Sequence, residues 1–359
     1  MRIALVASPF ISIPPARYGG TELFVGELAL GLKARDIDVV VYTNGESTVD
    51  VERRWLYERA QWPIQGELYD NLKDLNHSSW AVADAAADSD ILHLNNIPGL
   101  LASRATGRPA IYTVHHPHEA PLTELYRYLP DANFVTISDF QRRLEPMPKI
   151  RTIHHGVDMA KYRFQEKKQE YLSFIGRIAP MKGTHLAIEA ARRCGIPLKI
   201  AGEVQPRYRD YFEAQIRPQL DGKFIEFIGE VNLEEKNELL GGSRAMLFPI
   251  EWDEPFGLVM VEAMACGTPV LAFGRGSVPE VVKDGVSGWI CGSVDELADR
   301  ARHLTIAPAT VRGYVEREFA LGTMVERYVE LYTELLEDGG LGRRANVGSA
   351  LQTKSSAIA

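Results

Sequence analysis

The chain has 359 residues, 45% hydrophobic and 25% charged, with a formal net charge of −8 at pH 7. That length fits two domains or one large one, and the composition is that of an ordinary soluble globular chain. The acidic balance argues against nucleic acid or an anionic bilayer as the main partner, and no apolar run approaches the ~18 residues of a membrane span. The start, MRIALVASPF, lacks the layout of a signal peptide and reads directly as a first strand. Cys194, Cys266 and Cys291 are far apart, with no Cys-x-x-Cys, and read as reduced structural thiols of a cytoplasmic protein rather than zinc ligands.

In chain order, short apolar runs alternate with helical patterns. Strands are expected at 2–7, 38–43, 90–94, 110–114, 133–137 and near 150–157, with a helix over 20–34. The series then restarts, with strands at 171–176, 198–202, 223–229, 245–249 and 269–273. Between them, helices are expected at 182–194, near 207–220, at 233–241 and after Pro255. Such βα repetition builds parallel sheets covered on both faces, and two series predict two doubly wound α/β domains facing across a cleft. The charged stretch 158–169 marks the boundary, giving domains of 1–160 and 161–320. Beyond 305 the pattern is helical to about 337, and 339–359, rich in Gly, Ser and Ala, is expected to be disordered.

In open α/β sheets ligands lie beyond the C-terminal strand ends, so the loops there carry the candidates. Gly19 and Gly20 precede a helix and allow close backbone approach to an anion. They form no Gly-x-Gly-x-x-Gly and the chain has no P-loop, which disfavours a nicotinamide cofactor and P-loop NTPase chemistry. His115, His116 and His118 follow a strand. Adjacent loop histidines lack helical metal-ligand spacing, so a hydrogen bond from one of them to a sugar hydroxyl or a developing charge is the preferred reading over a metal. Arg177 and Lys182 bracket a turn at a helix entry and suit a diphosphate.

The stretch DEPFGLVMVEAMACGTPV places Glu262 inside an apolar helix, eight positions after Glu254. Eight helical residues advance roughly 12 Å, about the reach from the sugar to the ribose of a nucleotide-sugar. The amides of Phe256, Gly257 and Leu258 at the helix start suit the phosphate between them. Spacing alone leaves open whether Glu262 serves such a ligand or accepts hydrogen bonds from a neighbouring loop.

Together these blocks resemble the retaining glycosyltransferases of the GT-B fold, family 4 (glycosyl transferases group 1). The resemblance spans roughly residues 1–337 and is most specific in EPFGLVMVEAMACGTPV, with its Glu-x7-Glu. GRIAPMKG, HHGVD at 154–158, GSVPEVVKDGVSGW and YGGTE match further family blocks. It implies that Glu262 binds the ribose hydroxyls and Glu254 the transferred sugar, aided by the amides of Phe256, Gly257 and Leu258. Arg177 and Lys182 would neutralise the diphosphate, the Gly19–Gly20 loop would close over it, and Gly202 would border the donor. His115 falls on the family's Thr-x-His-Asp position and would contact the sugar near the reacting centre. His116 stands where the family often has Asp, and Asn95 where a His-x-His ending is commoner.

The resemblance further implies a retaining hexosyl transfer from a nucleotide-sugar, UDP-linked first and GDP-linked second, to a hydroxyl acceptor (saccharide, lipid or small molecule). No metal and no cofactor are implied. The helix at 322–337 would return to the first domain. Trp55, Tyr57, Trp62, Tyr69 and Trp80, expected in loops of the first domain, would cover the sheet or form an acceptor platform, and contact of 53–59 with a membrane surface is the minority reading. A GT-B-fold epimerase or phosphorylase and a nucleotide-sugar-binding protein without turnover are the rival readings.

Overall fold

The computed structural model describes residues 1–16, 19–64 and 67–355; Glu67 and 339–355 are described only by their place in helices. Two parallel sheets organise the chain. The first contains β1 (Arg2–Val6), β2 (Asp38–Thr43), β3 (Glu52–Trp55), β4 (Ile91–Leu94), β5 (Ala110–Val114), β6 (Asn133–Thr136) and β7 (Ile150–Thr152). Its order is β3-β2-β1-β4-β5-β6-β7. The second contains β8 (Leu172–Ile175), β9 (Leu198–Ala201), β10 (Ile225–Gly229), β11 (Ala245–Phe248), β12 (Val270–Phe273) and β13 (Gly288–Cys291). Its order is β10-β9-β8-β11-β12-β13.

The central strands are nearly continuous apolar runs because helices cover both faces. Ile3 pairs in register with Val39 and with Ile91, and all three are buried. The helices of the first half are α1 (Gly20–Lys33), α2 (Glu67–Asp88), α3 (Ile97–Ser103), α4 (Ala120–Arg127) and α5 (Asp139–Leu144). Those of the second are α6 (Thr184–Cys194), α7 (Arg209–Tyr211), α8 (Leu233–Gly242), α9 (Leu258–Ala265), α10 (Val278–Val281), α11 (Val294–Arg302) and α12 (Pro308–Glu318), followed by α13 (Leu321–Ser355).

The chain crosses between the sheets twice. The outgoing passage follows β7 and the returning one follows α12, and they meet where Val157 bridges Ala320. The Val157 amide donates to the Phe319 carbonyl, and its own carbonyl accepts from Leu321, both at 2.9 Å. Beyond this crossing α13 lays Met324, Val325, Tyr328, Leu331 and Tyr332 against the core of the first sheet, with Phe24 and Leu28 of α1.

Several local expectations are corrected. The helix expected near 207–220 is a series of short turns: 3₁₀ at Pro206–Tyr208, one α turn in α7, a π turn at Phe212–Ile216 and 3₁₀ again at Arg217–Gln219. Pro218 lacks the N–H for an i→i−4 bond, and its ring crowds the preceding turn. The helix after Pro255 starts only at Leu258, because Gly257 adopts φ 81° and ends the preceding loop. Trp55 lies in β3, and Tyr69 and Trp80 lie in α2, not in loops. Trp80 packs on the sheet core, whereas Trp62 and Tyr69 are 43% and 73% exposed. Of the tail expected to be disordered, 339–355 are described only by their place in α13, and 356–359 lie outside the described residues.

No helix among the described residues is long and apolar enough to cross a membrane. The three cysteines are free thiols, and burial pushes those of Cys266 and Cys291 up to about 12.

Candidate active site between the two sheets

Both sheets change direction beside their first strand. The order reverses between β1 and β4 in the first and between β8 and β11 in the second. Loops leaving adjacent strands at such a point diverge to opposite faces and open a crevice. The two crevices face each other around a cavity of about 600 Å³. Gly19, Gly20 and His115 line it from the first sheet, and Arg177, Lys182, Gly202, Glu254, Phe256, Gly257, Leu258 and Glu262 from the second. The structure therefore brings together every site residue expected from the sequence.

Glu262 is buried in α9, yet it is well satisfied. Its Oε1 accepts from the Tyr162 hydroxyl and from Lys236 Nζ, both at 2.8 Å. Its Oε2 has no hydrogen-bond partner among the described residues. Glu254 is arranged in the same way. Its Oε2 accepts from Lys182 Nζ at 2.6 Å and from the Trp252 indole at 3.0 Å, and Oε1 has no partner among the described residues. The Lys182 ammonium also sits 4.4 Å from the centre of the Trp252 ring, a cation–π contact. Each carboxylate thus has one oxygen fixed by a cation and a neutral donor, with the other left to accept from a ligand.

Glu254 precedes α9, so only the last half of the Glu254–Glu262 path is helical and the 12 Å estimate from eight helical residues does not apply. The amides of Phe256, Gly257 and Leu258 donate no hydrogen bond to described residues. They belong to the loop and the first position of α9, a ready anion site. Gly202, at φ 151°, packs so tightly that a Cβ would run into the Gly176 carbonyl, which keeps that wall of the cleft narrow.

His115 Nε2 lies 2.9 Å from Asn95 Oδ1. Its ring lies parallel to that of His155, with centroids 5.7 Å apart, and packs against Phe24. Burial and the neighbouring His155, His93 and His116 hold the His115 imidazole well below the usual histidine range, so it is neutral. His116 turns to the Tyr126 hydroxyl and His118 to Glu145, so the three histidines do not converge. Among the described residues, one group has metal-ligand spacing: Asp139, His154 and Glu280. None of these lines the cleft, and the Glu280 carboxylate already accepts from the amides of Asp139 and Phe140 and from His154 Nε2.

Sequence reasoning missed Tyr162, Lys236 and Trp252, which hold the two glutamates, and gave no role to His155, which stacks on His115. Trp252 had a local signal, two positions before Glu254. Tyr162 is 100 residues from Glu262 and carries none.

Residues 18–161 match the family described as Glycosyltransferase Family 4, and residues 158–312 match Glycosyl transferases group 1. The chain is 26% identical to D-inositol 3-phosphate glycosyltransferase of Mycolicibacterium paratuberculosis, over 89% of this chain and 85% of that protein. Among solved structures, AviGT4, a glycosyltransferase involved in avilamycin A biosynthesis, is 26% identical, with a TM-score of 0.72 and coverage of 94% and 98%. Anabaena HepE, solved with UDP and glucose, shares the fold at 20% identity and a TM-score of 0.75, over 93% of this chain and all of that one. With two facing doubly wound domains, and with two glycosyltransferase family models matching residues 18–161 and 158–312 in turn, the chain belongs to the group 1, family 4 glycosyltransferases and has the GT-B fold.

Proposed function

We propose that this glycosyltransferase moves a hexose from a nucleotide diphosphate sugar to a hydroxyl acceptor, with retention and without a metal. The observation that carries the reading is the disposition of the two glutamates. Each has one oxygen locked and one open, in a cleft that Arg177, Lys182 and the amide-bearing residues Phe256, Gly257 and Leu258 also line. A nucleotide-sugar has the complementary pattern of hydroxyls, diphosphate and hydroxyls. In this reading Glu262 Oε2 accepts from the ribose, Glu254 Oε1 accepts from the sugar, and Arg177, Lys182 and the amides of Phe256, Gly257 and Leu258 take the diphosphate. UDP is the preferred nucleotide and GDP the second.

Breaking the bond from the anomeric carbon to the phosphate oxygen sends both electrons to the leaving nucleotide. The ring carbon gains positive character as the diphosphate gains charge. Fixed cations and amides meet that charge with little reorganisation, the role a divalent ion would otherwise fill. In this reading the acceptor hydroxyl enters on the leaving-group face, its oxygen bonds to the anomeric carbon as the phosphate oxygen departs, and its proton passes to that phosphate oxygen, which keeps the anomeric configuration.

The test is a thermal-shift panel of UDP-, GDP-, ADP- and dTDP-sugars, each with and without chelator. Ligand at a hundred times its dissociation constant adds about 2.7 kcal/mol of stability. A chelator-insensitive shift with one nucleotide is expected; no shift with any would overturn the reading. The anomeric configuration of the product, read by NMR, tests retention.

A further inference from the structure

The residue behind His115 decides which of its ring nitrogens faces the cleft. Asn95 follows β4, and its Nδ2 points at the carbonyls of Val6 (3.3 Å) and His93 (3.4 Å). Carbonyls only accept, so the amide nitrogen belongs on that side and Oδ1 belongs toward His115. Oδ1 has no proton to give, so its 2.9 Å contact with His115 Nε2 requires the hydrogen on Nε2. The parallel His155 ring and the tilted Phe24 ring, 4.9 Å away, oppose rotation of the imidazole. His115 Nδ1 has no hydrogen bond to the described residues, and His115 lines the cavity.

We propose that Asn95 is a positioning residue that fixes His115 as the Nε2–H tautomer, so that His115 meets the bound sugar as a hydrogen-bond acceptor for a hydroxyl. The sequence alone suggested the opposite sense, a donor to the sugar. A neutral imidazole has one N–H and one lone pair, so committing the N–H to Asn95 commits the lone pair to the cleft. A lone pair on that side suits a sugar whose ring carbon becomes positive, whereas an N–H there would oppose it. A histidine at position 95 could offer either a proton or a lone pair to His115 by changing its own tautomer. The pinned amide of Asn95 removes that choice.

The tautomer stands on the geometry alone, whereas its part in turnover rests on the glycosyl-transfer reading. The test uses the full chain labelled with ¹⁵N-histidine, with His115 assigned through the signals lost in His115→Gln. Long-range ¹⁵N–¹H correlations then show which nitrogen holds the proton. The wild type is expected to show Nε2–H. Asn95→Leu removes the acceptor and is expected to release His115 to a mixture of tautomers. It should lower kcat about tenfold, the cost of one misdirected hydrogen bond, with donor KM changed less than about twofold. Asn95→Asp keeps an oxygen acceptor and is expected to restore the Nε2–H signal. A wild-type His115 protonated on Nδ1 would overturn the proposal, and it would do so even if Asn95→Leu failed to fold. So would an Asn95→Leu protein with unchanged tautomer and kcat. A wild type that shows Nε2–H but turns over no nucleotide-sugar supports the positioning and counts against the glycosyl-transfer reading.

Discussion

The hydroxyl of Tyr162, in the passage between the two sheets, donates to Glu262 in α9 at 2.8 Å. The carboxylate expected to hold the nucleotide is thereby tied to the segment about which the two halves join. The Glu262 charge and the Tyr162 hydroxyl also explain each other's burial: the phenol is held well above its ordinary range by burial and by the adjacent carboxylate, so it stays a donor.

Removing that donor has a predictable sign. Tyr162→Phe leaves Lys236 as the remaining partner of Glu262 and is expected to cost about 1–3 kcal/mol of stability, read as a lowered urea midpoint. Glu262→Ala strands both donors and removes the open oxygen. It is expected to weaken nucleotide binding at least about tenfold in a calorimetric titration. Nucleotide affinity unchanged in Glu262→Ala would remove Glu262 from the site.

The cluster of Lys182, Glu254 and Trp252 gives a second prediction. Trp252→Phe keeps an aromatic face under the Lys182 ammonium but deletes the indole N–H on Glu254. Glu254 should then be less well oriented, so kcat is expected to fall several-fold, within about 1 kcal/mol, while nucleotide affinity holds. Lys182→Ala should weaken nucleoside diphosphate binding more than nucleoside binding, because it removes a charge from the proposed diphosphate site. Equal losses for the two ligands would place Lys182 outside that site.

Glu280 of α10 reaches across the seam to the start of α5, accepting from the amide of Asp139 at 2.7 Å and from that of Phe140 at 2.5 Å. His154, in the outgoing passage, adds a third donor at 3.2 Å. Glu280→Ala leaves these donors without their acceptor and is expected to favour a more open pair of domains. Small-angle scattering of the unliganded protein should show a larger radius of gyration than the wild type. Identical scattering profiles would mean that the contact does not hold the two halves together.

Stability should also depend on pH through Glu22, whose carboxyl is pushed up to about 6 by burial in the first turn of α1. An unfolded glutamate titrates lower, so the folded state binds this proton more tightly. The associated stability is full below the unfolded value and is lost as pH rises through about 6. The difference amounts to about 2 kcal/mol at neutral pH. Glu22→Gln is expected to be more stable than the wild type at pH 7.5, with the gap closing toward pH 4.5 in urea melts. A gap of constant size across that range would rule out the titration of Glu22 as its source.

The parts of the fold that were legible share one property: burial on both faces. DVVVYT and AIYTV read as strands because helices cover them above and below. The edge strand β3, ERRW, is charged, since its ladder faces solvent on one side and Arg54 pairs with Asp84 and Asp88 of α2. It therefore carries no apolar run to recognise. Helix α2 was illegible for a related reason, because Leu68 and Leu72 point outward and blur the stripe that marks a buried face. Within the site, Gly19, His115, Arg177 and Glu254 were legible because each follows a strand at a crevice. Asn95 was legible as a departure at the end of β4, but its partner was not. Tyr162 and Lys236 act through partners fixed only by the tertiary structure, with nothing in their neighbourhood in the sequence to announce them.

The seating of α13 on α1 has a consequence for dissecting the molecule. Tyr332 donates or accepts a hydrogen bond with His93 at 2.7 Å in the interior of the first half, although 239 residues separate them. A fragment cut in the outgoing passage would therefore lack part of its own interior, and its partner fragment would carry an orphaned greasy rod. Exchange of halves between relatives has to take three pieces into account, with α13 travelling alongside α1 and not with the segment it follows.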